Sequence, residues 1–181
     1  MGCGMVRKVD ELGRVVIPKE MRRVLNIKTG SSIEMFINDD NQVVLKKFSE
    51  LSNILYFAEN LSEVIFDTFN LPVLISDDEQ VLICKGLSKK DYIGKKLIKN
   101  KNTEKTKNKE YVLEEDKEEI LIDTKNQFKY VYTFPVISEG FESGYIFLLS
   151  NSYLDESVIK NILVLKKFLS NLLKFWSVFY K

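Results

Sequence analysis

The sequence predicts an α+β protein of two domains, and three observations lead to this prediction. The chain has 181 residues, a length at which two small domains are as natural as one large domain. Its content of 45% apolar and 29% charged residues is typical of folded globular proteins. Short β-branched runs and amphipathic segments with helical spacing follow one another, and the composition changes near residues 48–52. We therefore expect a first domain over residues 1–50 and a second over residues 51–181.

The first domain is predicted to contain four strands and one short helix in the order β-β-α-β-β. Each strand is a short run with β-branched residues that is bounded by turn residues. The four runs cover residues 4–9, 14–17, 32–37 and 42–47. Asp10 to Gly13 forms the first turn, with Gly13 where a positive φ is required. Pro18 ends the second strand and opens a helix that is predicted to reach Asn26.

The positive charge of the protein is concentrated in this first domain. Over the whole chain 27 basic residues nearly balance 26 acidic ones. Residues 1–48 hold nine bases against six acids, which leaves 18 bases against 20 acids for the remainder. All four arginines of the protein lie in the first 23 residues. Because Arg forks onto phosphate and guanine, this segregation indicates a nucleic-acid-binding domain.

A domain of this size is too short to bury a stable core by itself, and the sequence offers little to compensate. The chain contains no His and only two Cys, Cys3 and Cys84, so neither a zinc ribbon nor a disulfide framework is available. We therefore expect the first domain to dimerise. A dimer would also present two basic surfaces to one DNA duplex.

Residues 6–23 form a specific motif, Val6-Arg7-Lys8-Val9-Asp10-Glu11-Leu12-Gly13-Arg14-Val15-Val16-Ile17-Pro18-Lys19-Glu20-Met21-Arg22-Arg23. The motif, with residues 33–36 and 43–48 after it, resembles the AbrB-type DNA-binding domain of Gram-positive transition-state regulators. This resemblance implies a swapped-hairpin β-barrel of two interleaved chains. It also implies that the DNA contacts come from six residues: Arg7, Lys8, Arg14, Lys19, Arg22 and Arg23. The alternative for each of them is a solvated surface base.

The second domain is predicted as an antiparallel sheet with flanking helices. Apolar residues three and four apart predict helices over residues 51–69 and 154–179. The strand candidates are residues 73–76, 80–84, 111–113, 120–122, 128–136 and 144–149. Residues 88–97 are expected to be a short helical or looped segment, and the highly charged residues 99–110 an exposed loop. This order of elements resembles a GAF sensor domain.

The two domains in this order resemble the sporulation transcription regulators of endospore-forming bacteria. The clearest matching pieces in the second domain are Leu74-Ile75-Ser76-Asp77 and Ser88-Lys89-Lys90-Asp91-Tyr92. The resemblance implies a regulator that both activates and represses late forespore genes. It also implies a protein of the forespore cytoplasm that is associated with the nucleoid.

A sensor domain needs a ligand site, and four aromatic residues are the candidates. Phe128, Tyr130, Tyr132 and Phe134 alternate along one predicted strand, so the four rings are expected on one face of the sheet. They either line a small-molecule cavity or form ordinary core.

Two other features of the second domain have a functional and a plain structural interpretation. Cys84 is either a redox sensor or a small buried hydrophobe. The acidic run over residues 114–119 is either a weak cation site or a solvated turn. We expect no cofactor and no metal.

The last predicted helix indicates a further interface. Its apolar stripe is wider than one sheet face requires. The surplus either packs with helix 51–69 and the last helix of another subunit in a bundle, which would make a tetramer, or is buried against its own sheet.

The sequence favours a DNA-binding transcription regulator over two alternatives. The first alternative is an AbrB-type antitoxin, or another DNA-binding scaffold, whose C-terminal domain binds a protein partner. The second, an enzyme, lacks a placed acid–base pair and a nucleophile with an adjacent base. Residues 1–8 lack the apolar core of a secretory signal, and Lys and Asn side chains interrupt the apolar residues 159–180, so no membrane association is expected.

Overall fold

The structure is a computed structural model that describes residues 4–25, 27, 29–98, 106, 108–115, 120–122 and 127–179. The chain divides into two compact units, Met1–Phe48 and Ser49–Lys181. None of the described helices is both long enough and apolar enough to cross a bilayer.

The first unit contains one short helix and one hairpin. The elements are α1 (Lys19–Val24), β1 (Ile33–Ile37) and β2 (Val43–Lys47). The two strands pair antiparallel, with Ile33 opposite Lys47 and Ile37 opposite Val43. Asn41 adopts a φ of +58° in the hairpin loop, a conformation that Asn tolerates better than most residues. The predicted strands over residues 32–37 and 42–47 are confirmed to within one residue, and the predicted helix is present but shorter.

The two strands predicted over residues 4–9 and 14–17 are wrong for the single chain. Neither segment pairs with another strand in the described part of the chain. A strand exists only through hydrogen bonds to a neighbouring strand, and its own hydrophobic pattern cannot supply that neighbour. The two segments are joined by a turn, in which the N–H of Asp10 donates to the carbonyl of Arg14 over 3.0 Å.

The apolar side chains of the first unit are mostly exposed. Among its described residues only Pro18 is buried. Val6 is 96% exposed, Val16 76% and Val24 81%. The described residues of this unit therefore form no hydrophobic core within the single chain, as its length predicts.

The second unit is built on a five-stranded sheet. Its strands are β3 (Val73–Ser76), β4 (Val81–Lys85), β5 (Val112–Glu114), β6 (Tyr130–Ser138) and β7 (Phe141–Ser150). They lie in the order β4-β3-β7-β6-β5, and every neighbouring pair is antiparallel. β6 and β7 are the longest strands, and Glu139 and Gly140 join them with φ angles of +49° and +84°. Two positive φ angles are typical of the two-residue turns that fit the twist of a hairpin.

Two predicted segments differ from the structure or lie beyond it. Residues 120–122 do not form a strand, because Leu121 makes only one isolated bridge, to Leu97. Most of the predicted loop over residues 99–110 lies outside the described residues.

The helices of the second unit are α2 (Glu50–Asn53), α3 (Leu55–Phe69), α4 (Lys89–Tyr92) and α5 (Glu156–Phe179). The single helix predicted over residues 51–69 is thus two helices, interrupted at Ile54. Contacts with β7 explain the break. Cδ1 of Leu51 lies so close to Gly144 that a Cβ there would clash with it, and the Oγ of Ser143 donates to Glu50 over 2.9 Å. These contacts hold α2 against the sheet, and Ile54, with φ −110° and ψ +24°, separates α2 from α3.

Both faces of the sheet are buried. The helix-side core lies between the sheet and α2, α3 and α5, and includes Ile75, Tyr132 and Ile146. The loop-side core lies on the opposite face, where Leu97, Ile120 and Leu121 cover it. The alternation of side chains along β3, β6 and β7 supplies both cores at once.

Asp77, in the turn between β3 and β4, carries a buried carboxyl group whose pKa is shifted. The residue is 7% exposed, and its Oδ1 accepts hydrogen bonds from the N–H groups of Glu79 and Gln80, both over 2.8 Å. Burial raises the pKa of Asp77 in spite of these hydrogen bonds.

We expect Asp77→Asn to change the pH dependence of stability. The raised pKa means that the native state binds this proton more tightly than the unfolded state. The contribution of Asp77 to stability is therefore full at a pH below its ordinary pKa and is lost as the pH rises through the raised value. Asn keeps the Oδ1 acceptor and removes the charge. The variant should therefore match the wild type at about pH 3 and be equally or more stable at about pH 7.

Urea unfolding at the two pH values measures this difference. The exposed Asp91→Asn serves as the control, because it removes the same charge without touching the turn. A variant that is less stable than the wild type by the same amount at both pH values would contradict the prediction.

Candidate nucleic-acid interface

The six basic residues predicted to contact DNA lie on two segments of the first unit. Arg7 and Lys8 precede the first turn, Arg14 follows it, and the other three belong to α1. All six side chains are exposed. The charge segregation seen in the sequence is therefore present on the surface of this unit.

The turn between the two segments is organised by Asp10. Its Oδ1 accepts hydrogen bonds from the backbone N–H of Leu12 over 3.0 Å and of Arg14 over 2.8 Å. Gly13 adopts a φ of +74°, which only Gly tolerates readily, and its N–H donates to the carbonyl of Asp10 over 2.9 Å. The turn is thus closed by backbone and side-chain hydrogen bonds together.

The same carboxylate holds the side chain of Arg14. The Nε of Arg14 donates to Oδ2 of Asp10 over 2.7 Å. The backbone N–H of Arg14, followed by its guanidinium, lowers the pKa of the Asp10 carboxyl, so the acid is charged at neutral pH. The Arg14 side chain is nevertheless 70% exposed. Asp10 is not among the six predicted site residues, although an Asp placed four residues before an Arg across a Gly turn is a signal for this contact in the sequence.

The helix α1 presents the second group of bases. The carbonyl of Pro18 accepts the N–H of Arg22 over 2.9 Å, which starts the helix directly after the proline. Residues Lys19, Arg22 and Arg23 are spaced three and four apart and share one face. Arg22 and Arg23 lie in the last turn, where the helix carbonyls favour positive charge.

The four aromatic candidates of the second unit do not lie on one face. Tyr130, Tyr132 and Phe134 belong to the helix-side core and are almost fully buried. Phe128 packs against the loop-side core instead. The predicted common face is wrong for Phe128, because β6 begins only at Tyr130 and strand alternation does not extend to residue 128.

The three rings of β6 contact other side chains. The ring of Tyr111 stacks 5.5 Å from that of Phe134 and 6.4 Å from that of Tyr132, measured between centroids. The hydroxyl of Tyr132 accepts the N–H of Leu154 over 2.9 Å. These contacts are those of a packed core.

Neither Cys84 nor the acidic run forms a reactive site in the described residues. Cys84 is 2% exposed, and burial raises the pKa of its thiol, which disfavours the reactive thiolate. Glu114 is buried on β5, whereas residues 116–119 of the run lie outside the described residues. Within the described part of the chain, no three His, Cys, Asp or Glu side chains are grouped so as to hold a metal ion.

Comparison with protein families finds a match for each unit. Residues 50–171 match the family described as "Stage V sporulation protein T C-terminal, transcription factor". Residues 6–49 match the family described as "Antidote-toxin recognition MazE, bacterial antitoxin".

Two relatives from Bacillus subtilis (strain 168) are similar to this chain over different lengths. Stage V sporulation protein T is 36% identical over 150 residues, which cover 81% of this chain and 83% of the relative. Transition state regulatory protein AbrB is 56% identical over 45 residues, which cover 25% of this chain and 46% of the relative. The first similarity extends over both units, and the second is confined to a short segment.

A solved structure shares the fold. It is a domain described as part of a two-component sensor histidine kinase of Sinorhizobium meliloti 1021. The TM-score is 0.55 at 15% sequence identity, and the match covers 70% of this chain and 95% of that domain.

Proposed function

Because the chain belongs to the stage V sporulation protein T family of transcription factors, we propose that it regulates transcription by binding DNA through its first unit. The observation that carries this proposal is the exposure of all four arginines of the chain on Met1–Phe48, two of them on the segments that the Asp10 turn joins and two on α1. Most contacts of such a surface go to phosphates, and Arg side chains can also reach guanine edges in the major groove. The second unit contains no Arg, so every Arg that could reach a guanine edge lies in the first unit.

We propose that two first units form an interleaved, swapped-hairpin barrel. The exposed valines of this unit need a partner surface, since the described part of the unit buries little but Pro18. The unpaired segments over residues 4–9 and 14–17 need strand neighbours. A second copy would supply both. It would also place two sets of arginines on one duplex.

We expect binding to duplex DNA to weaken steeply with salt. If four bases per chain contact phosphate, a dimer neutralises about eight phosphates, and log K should fall against log salt with a slope of about −7. The variant Arg22→Gln/Arg23→Gln removes two of these contacts per chain, and its slope should be about −4. Fluorescence anisotropy of a labelled duplex over a salt series measures both slopes.

The control is Lys90→Gln, an exposed base of α4 that should leave the slope unchanged. A wild-type slope near zero would contradict DNA binding through this surface. An unchanged slope for the double Arg variant would contradict the assignment of Arg22 and Arg23.

We further propose that α5 joins two dimers into a tetramer. One stripe of α5 is buried in the helix-side core through Ile162, Leu169 and Leu173. Another stripe is exposed, with Val164 68% and Phe168 54% accessible. α3 likewise leaves Tyr56 and Val64 exposed. Exposed apolar faces on two long helices favour a helical bundle between subunits.

Substitutions on α5 separate this interface from the fold. We expect Val164→Glu/Phe168→Glu to convert a tetramer into a dimer in light scattering, because the charges face the partner helix and not the core. Leu169→Ala should instead lower the unfolding free energy by about 2–5 kcal/mol, because Leu169 is fully buried. Lys90→Glu on α4 is the charge control. A wild type that is monomeric at micromolar concentration would overturn the proposals for both interfaces.

We propose that the second unit is a sensor, with its small-molecule site on the loop side of the sheet. The rings of Tyr130, Tyr132 and Phe134 are engaged in the helix-side core, which disfavours them as a cavity wall. On the other face, the hydroxyls of Ser76 and Thr133 are buried without a hydrogen-bond partner among the described residues. Buried polar groups favour a polar partner, which a ligand would supply.

A thermal-shift screen of metabolites on the full chain tests the sensor proposal. We expect at least one compound to raise the melting temperature of the wild type and to lose its effect in Thr133→Val, which removes the hydroxyl at nearly constant volume. The control is Ser157→Ala, an exposed hydroxyl on α5. A screen without a stabilising compound would favour a purely structural second unit.

In the cell, we propose that the protein activates and represses late forespore genes, as the similarity to stage V sporulation protein T suggests. The match of residues 6–49 to the MazE family favours a second candidate, an antitoxin. The folded second unit and its transcription-factor match argue for the regulator. Depletion of the protein should change late sporulation transcripts and leave vegetative growth intact, whereas an antitoxin would cause growth arrest when depleted.

A further inference from the structure

We propose that Asp10 is a positioning residue for DNA sequence recognition, because it holds the guanidinium of Arg14 at Nε and leaves the terminal nitrogens free. This inference rests on the proposed function, DNA binding by the first unit. Asp10 is an acidic residue on a basic surface, and phosphate repels it. Its proposed role is therefore in specificity and not in affinity.

The carboxylate is itself fixed before it meets the guanidinium. Two backbone N–H groups of the turn, those of Leu12 and Arg14, donate to Oδ1, so Oδ2 has a defined position. The Nε of Arg14 donates to that second oxygen over 2.7 Å. An ordinary exposed ion pair between two flexible side chains lacks this anchoring and contributes little. Here one partner is part of a closed turn.

The hydrogen bond at Nε determines what remains available to DNA. A guanidinium carries five N–H donors, one on Nε and four on the two terminal nitrogens. When Nε is occupied, only the terminal pair faces outward, and its spacing fits the O6 and N7 acceptors of one guanine. The exposure of the Arg14 side chain, 70%, leaves that end accessible.

The negative charge of Asp10 distinguishes a specificity role from an affinity role. Any acid on this surface weakens non-specific attraction to phosphate. An Arg without the Asp10 contact would be free to rotate towards phosphates and would bind many sequences. Asp10 therefore lowers general affinity and raises the preference for duplexes with a guanine at the Arg14 position.

The variant Asp10→Asn separates these effects. Asn keeps an oxygen that can accept the two backbone N–H groups, so the turn is retained. Its amide NH₂ replaces Oδ2 and cannot accept from Nε of Arg14. We expect the preference for a selected duplex over a scrambled one to fall by about tenfold. Affinity for the scrambled duplex should stay equal or increase.

The experiment uses the full chain and a randomised duplex library of roughly 30 base pairs, about three helical turns. The wild type selects its preferred duplex, and anisotropy at about 0.15 M salt then gives the ratio of affinities for selected and scrambled DNA. Glu11→Gln is the matched control. It removes one exposed negative charge next to Asp10, and we expect it to keep the ratio.

A second variant guards against a simple loss of the turn. Arg14→Lys should lose the preference while keeping scrambled affinity, because a Lys ammonium has no terminal fork. In the Arg14→Lys background, Asp10→Asn should cause no additional loss of the preference for selected DNA, since the guanidinium that Asp10 positions is already absent. If Asp10 merely maintained the turn, the two substitutions would reduce binding independently, and the inference would be wrong.

The outcomes distinguish this inference from the proposed function. A wild type that binds neither the library nor a scrambled duplex overturns DNA binding itself. A wild type that selects a duplex while Asp10→Asn keeps the full preference overturns only the role of Asp10. Loss of preference in Asp10→Asn, with scrambled affinity retained, supports both.

Discussion

The exposed apolar surface of Met1–Phe48 is the constraint on which the organisation of this protein depends. A unit whose valines face water, and whose described residues bury little except Pro18, cannot be stable alone. In the proposed dimer, a second copy would satisfy that constraint and double the basic surface in the same step. In the proposed dimer, association and DNA binding would depend on the same segments, since Arg7 and Arg14 lie within the unpaired residues 4–9 and 14–17.

The second unit, in contrast, has a hydrophobic core of its own, because its sheet is covered on both sides. β6 and β7 contribute alternate side chains to two cores, and α5 closes one of them through Ile162 and Leu169. A unit with its own core can leave a further apolar stripe exposed, as α5 does at Val164 and Phe168, without losing its fold. The stripe is therefore available for association, whereas the loop-side face is covered and buries the hydroxyls of Ser76 and Thr133.

Local sequence patterns predicted most helices and strands. The predictions were wrong where a contact between residues distant in the chain determines the structure. Strands β3 and β7 and the helix α5 follow from β-branched runs and from helical spacing, both of which are local. The break at Ile54 depends on how closely Leu51 approaches Gly144, some ninety positions away in the chain. Phe128 does not lie on the same face as the other three rings, because pairing between β6 and β7 starts at Tyr130. The six basic residues proposed to contact DNA follow from composition and a motif, whereas the hydrogen bond between Asp10 and Arg14 is seen only in the folded chain.

By itself the sequence determined the two-unit division of charge, the motif with its four arginines, and most of the helices and strands, because these depend on residues close together in the chain. The tertiary structure decided which faces are buried and which carboxylate holds which arginine. It also showed that residues 4–9 and 14–17 have no strand partner within the described chain. Burial and pairing depend on neighbours that are distant in sequence. The local sequence of a strand therefore does not show whether a partner strand is present.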